Sequence, residues 1–186
     1  MPRSGLDPEA VVAAAAELAD AEGLEAVTLA RVAERLGVRS PSLYVHVGGL
    51  PDLRRRLAAR GTSELAAELQ AAAAGRAGRD ALAAVADVYR RYAREHPGAY
   101  AALQRASDVR DGPAAESAAR VVDVVLAVLR GYGLEGDDAI HGARIVRAAL
   151  HGFAALEAAE GFGIDLSPDE TFARLVAALD RGLAPA

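Results

Sequence analysis

Residues 28–47 read TLARVAERLGVRSPSLYVHV, and the glycine in their middle limits what this stretch can become. Thr28 is a capping residue, LARVAERL has helical spacing of its apolar positions, and Gly37 stops that helix after barely two turns. Ser40 and Pro41 then read as the N-cap and first position of a second helix, which Gly48 and Gly49 end as quickly. Helices this short are unstable alone, so neighbours must hold them. Joined by a tight turn, the pair must cross steeply, with a small residue at the crossing and a positive φ in the turn. Ala33 and Gly37, four apart, meet those needs, while Val32, Leu36, Val38 and Leu43 fall on the inner face and Val47 closes it. This is the pattern of a helix-turn-helix, whose second helix presents its N-terminal residues to the major groove.

The rest of the chain is punctuated in the same way. Asp7, Pro8 and Glu9 form an N-cap, an N1 proline and a first-turn acid, opening a helix through VVAAAAELADAE that Gly23 stops. A long helix is expected from Pro51 to about Ala74, followed by helices near 80–95, 97–107, 113–131, 137–160 and 168–183. Ala and Leu abound, β-branched residues keep helical spacing, and no run alternates like a strand, so the expected fold is all-α with about nine helices.

Charge restricts the mode of DNA contact. The net charge is −5, and residues 1–50 hold four arginines against seven acids, a local balance of −3. Residues 51–60 add Arg54, Arg55, Arg56 and Arg60 against Asp52. Any nucleic-acid surface is therefore a local patch and not a basic domain. The chain has no Cys, which rules out disulfides and Cys-ligated metal, and its start MPRSGLDPEA lacks a signal-peptide core. No apolar run is long enough to span a bilayer, so the chain reads as soluble, cytoplasmic and without a membrane partner.

The run LGVRSPSLYVHVGGLPDL, with GLEAVTLARVAERL before it, resembles the DNA-binding segment of the tetracycline-repressor (TetR/AcrR-like) regulators. That family pairs a leucine-glycine-valine turn with a short helix ending in Tyr-x-His. The resemblance implies a helix-turn-helix DNA-binding domain over residues 1–50 and a helical effector-binding and dimerisation domain over 51–186. Farther on, RAALHGFAALE resembles a C-terminal subclass named for a Trp-His-Gly motif, with Leu150, His151 and Gly152 in those places.

Carried over residue by residue, the resemblance implies that Ser40, Pro41 and Ser42 face base edges and that Tyr44 and His46 bind phosphate. The chemistry agrees, since hydroxyls donate or accept at a groove edge, Pro41 suits a thymine methyl, and Tyr and His are phosphate donors. Thr28, Arg31 and Arg39 complete the expected DNA-binding set, with Arg54 to Arg56 near enough to add charge. Two positions depart from the family pattern: Leu50 stands where a phosphate-binding Lys is common, and Val47 where Phe is frequent.

The larger domain speaks mainly of architecture. IVRAALHGFAALEAA and FARLVAALDRGL carry apolar faces with small residues, so Ala154, Leu156, Leu175 and Leu179 are expected at a homodimer interface, with an intrachain core as the other reading. Tyr89, Tyr92, Tyr100, Leu103, Gln104 and Phe153 are candidates to line the cavity of a largely apolar small-molecule effector, or to pack a core. His96 reads as a helix-terminus residue, and His141 and His151 project roughly 80° apart around one helix, which does not make a metal pair. No hydrolase, metalloprotease or nucleotide-binding fingerprint is present, so neither an enzyme nor a cofactor is expected. The expected function is a ligand-responsive, homodimeric regulator of a palindromic double-stranded operator, acting as a repressor. The alternative is a helical interaction or small-molecule-binding protein whose degenerate helix-turn-helix no longer reads DNA.

Overall fold

The computed structural model describes residues 6–105 and 113–184. Among them are eight α-helices: α1 (Pro8–Glu22), α2 (Leu29–Arg35), α3 (Leu50–Ala73), α4 (Gly78–Glu95), α5 (Pro97–Arg105), α6 (Pro113–Arg130), α7 (Gly136–Ala158) and α8 (Pro168–Leu183). Two 3-10 helices, Leu24–Ala26 and Ser40–Val45, complete the described elements, and no strand occurs among them. The all-α expectation holds. Arg3, which counts in the N-terminal charge balance, and residues 106 and 107, at the end of the helix expected at 97–107, lie outside the described residues. No helix among the described residues is long and apolar enough to cross a membrane.

The caps act as their residue types dictate. Asp7 accepts the Ala10 N–H at 2.7 Å, Thr28 that of Arg31 at 3.3 Å, and Ser167 that of Glu170 at 3.3 Å. Gly23 ends α1 at φ +88°, a conformation costly for any residue with a Cβ. The recognition segment differs from expectation. Ser40 lies inside a 3-10 helix whose cap position is Arg39, and the Ser42 N–H donates to the Arg39 carbonyl at 2.9 Å. Six residues containing a proline, with two glycines close behind, leave little room for an α-helical ladder, and i→i+3 bonds close sooner.

The described chain divides into two compact units. The first comprises residues up to Ser63 together with Glu95–Ser117, and the second Glu64–Arg94 together with Ala118 onward. Its α5 therefore belongs with α1 and α2, and the first unit draws on more of the chain than residues 1–50. The core of that unit gathers Val11, Ala15, Leu18, Val27, Val32, Leu43, Leu53 and Leu57, all buried, with Leu50 packed against it. The side chain of Leu50 thus spends its apolar surface on the core, at the start of α3.

In the second unit Leu82, Val85, Tyr92, Leu129, Val146, Leu150 and Phe172 are buried. Two glycines permit close approach there. A Cβ on Gly131 would sit 2.6 Å from the Gly78 backbone nitrogen, and one on Gly142 would sit 3.2 Å from the Leu129 side chain. The Tyr132 hydroxyl donates to Asp180 at 2.7 Å; burial, then that carboxylate, pushes the phenol well above its ordinary pKa. Arg90 of α4 is buried, held by Glu157 of α7 and by Asp169 of α8, with its guanidinium 5.2 Å from the Phe153 ring and 4.8 Å from the Phe172 ring.

Candidate nucleic-acid interface

The turn between α2 and the Ser40–Val45 helix closes as its residues require. Gly37 has φ +67°, its N–H donates to the Glu34 carbonyl at 3.0 Å, and the Val38 N–H donates to the Ala33 carbonyl at 2.9 Å. Those bonds satisfy the carbonyls left open at the end of α2. Ala33, Val32, Leu43 and Val47 are buried, and Leu36 and Val38 are half-buried against the same core. The inner-face assignment was right at each position.

Anchoring Leu43 and Val47 leaves the other face of the short helix in solvent. Pro41, Ser42, Tyr44 and Val45 are exposed, Ser40 and His46 half-buried. Tyr44 is 63% exposed and Val45 83%, high for an aromatic ring and a branched apolar side chain. Val45 does not stand out in the sequence, where the inner apolar stripe dominates. An apolar residue between two inward positions was the available signal.

The arginines around this face are mostly tied to carboxylates. Arg31 reaches Glu22 at 2.6 Å, Arg35 reaches Glu17 at 2.9 Å, and Arg54 lies 3.5 Å from Glu25. Arg55 and Arg56 both hold Asp52 at 2.8 Å. Asp52 also accepts the Gly48 N–H at 2.9 Å, so it pins the turn that follows the short helix. That backbone bond first, then Arg56 and Arg55, keeps the Asp52 carboxyl below its ordinary pKa. Glu25 is lowered as well, chiefly by its hydrogen bond from Arg105. Thr28 is exposed, but its hydroxyl oxygen is occupied in capping α2. Arg39 is exposed and has no carboxylate partner among the described residues.

Comparison with known proteins decides the lineage. Residues 11–48 match the family profile described as bacterial regulatory proteins of the tetR family, and residues 82–179 match that of a tetracyclin repressor-like C-terminal domain. An uncharacterised HTH-type transcriptional regulator of Mycobacterium tuberculosis is 38% identical over 179 residues, covering 96% of this chain and 82% of that protein. The chain belongs to the TetR family. The folds agree too. A solved Rhodococcus protein of unknown function superposes with a TM-score of 0.82 at 23% identity, over 99% of this chain and 98% of that one. A TetR variant from Acinetobacter baumannii, solved in complex with minocycline, superposes with a TM-score of 0.71 at 24% identity, over 95% and 96% of the two chains.

In this TetR-family chain the candidate effector residues divide between the two units. Tyr89, Tyr92 and Phe153 are buried in the second, where the Tyr92 hydroxyl donates to Glu64 at 3.2 Å; Tyr100, Leu103 and Gln104 sit in the first, Tyr100 buried and the others half-buried. Of the residues assigned to a dimer interface, Ala154 and Leu179 are buried within the chain, Leu175 is half-buried and Leu156 is 51% exposed. Within the Trp-His-Gly-like segment, Leu150 is buried and a Cβ on Gly152 would meet no atom within 4 Å. No group of three or more His, Asp or Glu side chains among the described residues could hold a metal ion.

Proposed function

We propose that this chain is a homodimeric, ligand-responsive repressor that reads a palindromic operator through the outward face of its Ser40–Val45 helix. One observation carries the reading: Leu43 of the short helix and Val47 just past its end are buried in the core, while Ser42, Tyr44 and Val45 of that helix stand in solvent. A buried anchor with polar and apolar groups facing out is what a groove-entering helix needs. In this reading Ser40, Pro41 and Ser42 meet base edges, and Tyr44 and His46 meet phosphates. Thr28 and Arg31 flank the backbone from α2.

Dimerisation is supported by the exposed apolar side chains of α7. Ile145 and Leu156 lie eleven residues apart, hence about 20° apart around the helix, and both are more than half exposed. A second copy covering that stripe turns exposed apolar surface into interface. In this reading residues 1–50, which lie within the first compact unit, bind DNA, and residues 51–186, which contribute to both units, carry effector binding and dimerisation. Ligand response is supported by the family fold and by the minocycline complex of its structural neighbour. An effector that binds better to a conformer with a different spacing of the two recognition helices lowers the population able to fit successive major grooves.

A second reading is favoured by the ion pairs: arginines 31, 35, 54, 55 and 56 are each opposed by a carboxylate. It makes the chain an interaction or small-molecule-binding protein that has lost DNA reading. Sedimentation of the chain with palindromic duplexes from the region upstream of its own gene separates the two. Two chains per duplex, with binding that weakens as salt rises, support the repressor; no complex at 50 mM salt supports the second reading.

A further inference from the structure

Most positive charges near the recognition helix are already neutralised, and the exception is placed where sequence is read. Among the described residues flanking this helix, Arg39 is the arginine that no carboxylate holds, whereas Arg31, Arg35, Arg54, Arg55 and Arg56 each have an acid within 4 Å. It immediately precedes the Ser40–Val45 helix on extended backbone, φ −85° and ψ 143°. Its carbonyl is committed to the Ser42 N–H at 2.9 Å, yet its side chain caps nothing and is exposed.

The outward groups of the helix also leave one recognition mode unfilled. Ser40 and Ser42 each offer one hydroxyl, which donates or accepts and distinguishes bases weakly. Pro41 and Val45 offer apolar surface suited to a thymine methyl, and Tyr44 and His46 offer single polar tips. None of these can make two parallel hydrogen bonds to one base edge. A guanidinium can, and its match in the major groove is the O6 and N7 of guanine.

We propose that Arg39 reads a guanine in each half-site and is the main determinant of base preference for this protein, with the paired arginines supplying little sequence information. The inference rests on the DNA-reading function proposed above, and its test separates the two. Wild type, Arg39→Ala and Arg39→Lys are each selected against a duplex library randomised over both half-sites, and affinities are then titrated across a salt series. Melting curves serve as a fold control, since an exposed side chain outside the core can be trimmed without unfolding the chain.

The expected result is a wild-type palindrome with one dominant G·C pair per half-site. Arg39→Ala should flatten that position by about 10- to 100-fold while other positions keep their preferences, and Arg39→Lys should keep a weaker guanine preference. If Arg39→Ala instead weakens all sequences equally, with a salt slope smaller by about one per subunit, Arg39 is a phosphate contact and the proposal is overturned while DNA reading stands. If the wild type enriches no sequence at all, DNA reading itself fails, and the role of Arg39 with it.

Discussion

The carboxylate of Asp20, near the end of α1, accepts the backbone N–H of Gly98 at 2.8 Å, so the start of α5 is capped by a residue 78 positions earlier in the chain. The same oxygen accepts the Ala99 N–H at 3.1 Å, and the other lies 3.3 Å from His96 Nδ1. The first N–H groups of a helix have no intrahelical partner, and here a neighbouring helix provides one. The packing beneath is close: a Cβ on Gly98 would sit 2.1 Å from the carbonyl carbon of Ala19.

Gly98→Ala should therefore force α5 away from α1, because the obstructing atoms are the carbonyl group and the Cβ of Ala19, none of which can rotate aside. We expect a loss of about 3 kcal/mol, seen as a melting temperature lower by roughly 10 °C. Asp20→Ala removes only the cap and should cost about 1 kcal/mol. Equal losses for the two variants would mean that the close approach contributes nothing beyond the cap.

Asp52 couples the recognition turn to pH. Its carboxyl is lowered in the folded chain, first by the Gly48 N–H and then by Arg56 and Arg55. A depressed carboxyl adds stability above its unfolded pKa, near 4 for aspartate, and that stability is lost as pH falls through the lower folded value. Melting temperatures followed from about pH 6 to pH 2 should thus converge for wild type and Asp52→Asn at the acid end, with wild type ahead at neutral pH. A constant difference across that range would remove the carboxylate from the explanation.

Arg90 ties α4 to α7 and α8 in the second unit, and its two partners are unequal. Glu157 is mostly buried and accepts from two guanidinium nitrogens, whereas the Asp169 side chain is 79% exposed. Removing one member of a buried pair strands the other, so Arg90→Ala should cost about 3–5 kcal/mol. Asp169→Asn should cost at most about 1 kcal/mol, because solvent screens that contact. Denaturant titrations of both variants check the ranking.

Leu50 is half-buried against the core of the first unit. Leu50→Lys should lower stability by about 1–2 kcal/mol, as apolar contact is exchanged for a charge seeking solvent. The salt slope of DNA binding should stay as in the wild type. A slope steeper by about one per subunit would place position 50 beside the phosphates after all.

Local chemistry made much of this fold readable. Asp7 with Pro8, Thr28, Gly37 and Ser167 with Pro168 act within three or four residues of themselves, and each sits at a helix boundary as its type demands. The inner face of the helix-turn-helix was legible for the same reason, since Ala33, Leu43 and Val47 lie within one short span. The 3-10 geometry of Ser40–Val45 was not, because the balance between i→i+3 and i→i+4 bonding depends on what the neighbours bury. Nor were the ion pairs. Arg90 meets Glu157 across 67 positions and Arg35 meets Glu17 across 18, and counting charges along the chain cannot show which side chains meet in space.

Whether the exposed face of the Ser40–Val45 helix reads sequence is decided by a specificity ratio. Affinity for the selected palindrome is compared with affinity for a scrambled duplex of equal length, both at about 150 mM salt. A sequence-reading helix should give a ratio of at least about 10³, with preference at one or more base pairs altered by Ser42→Ala and preserved by Tyr44→Phe. A ratio near one, unchanged by either substitution, would show that this face does not read sequence.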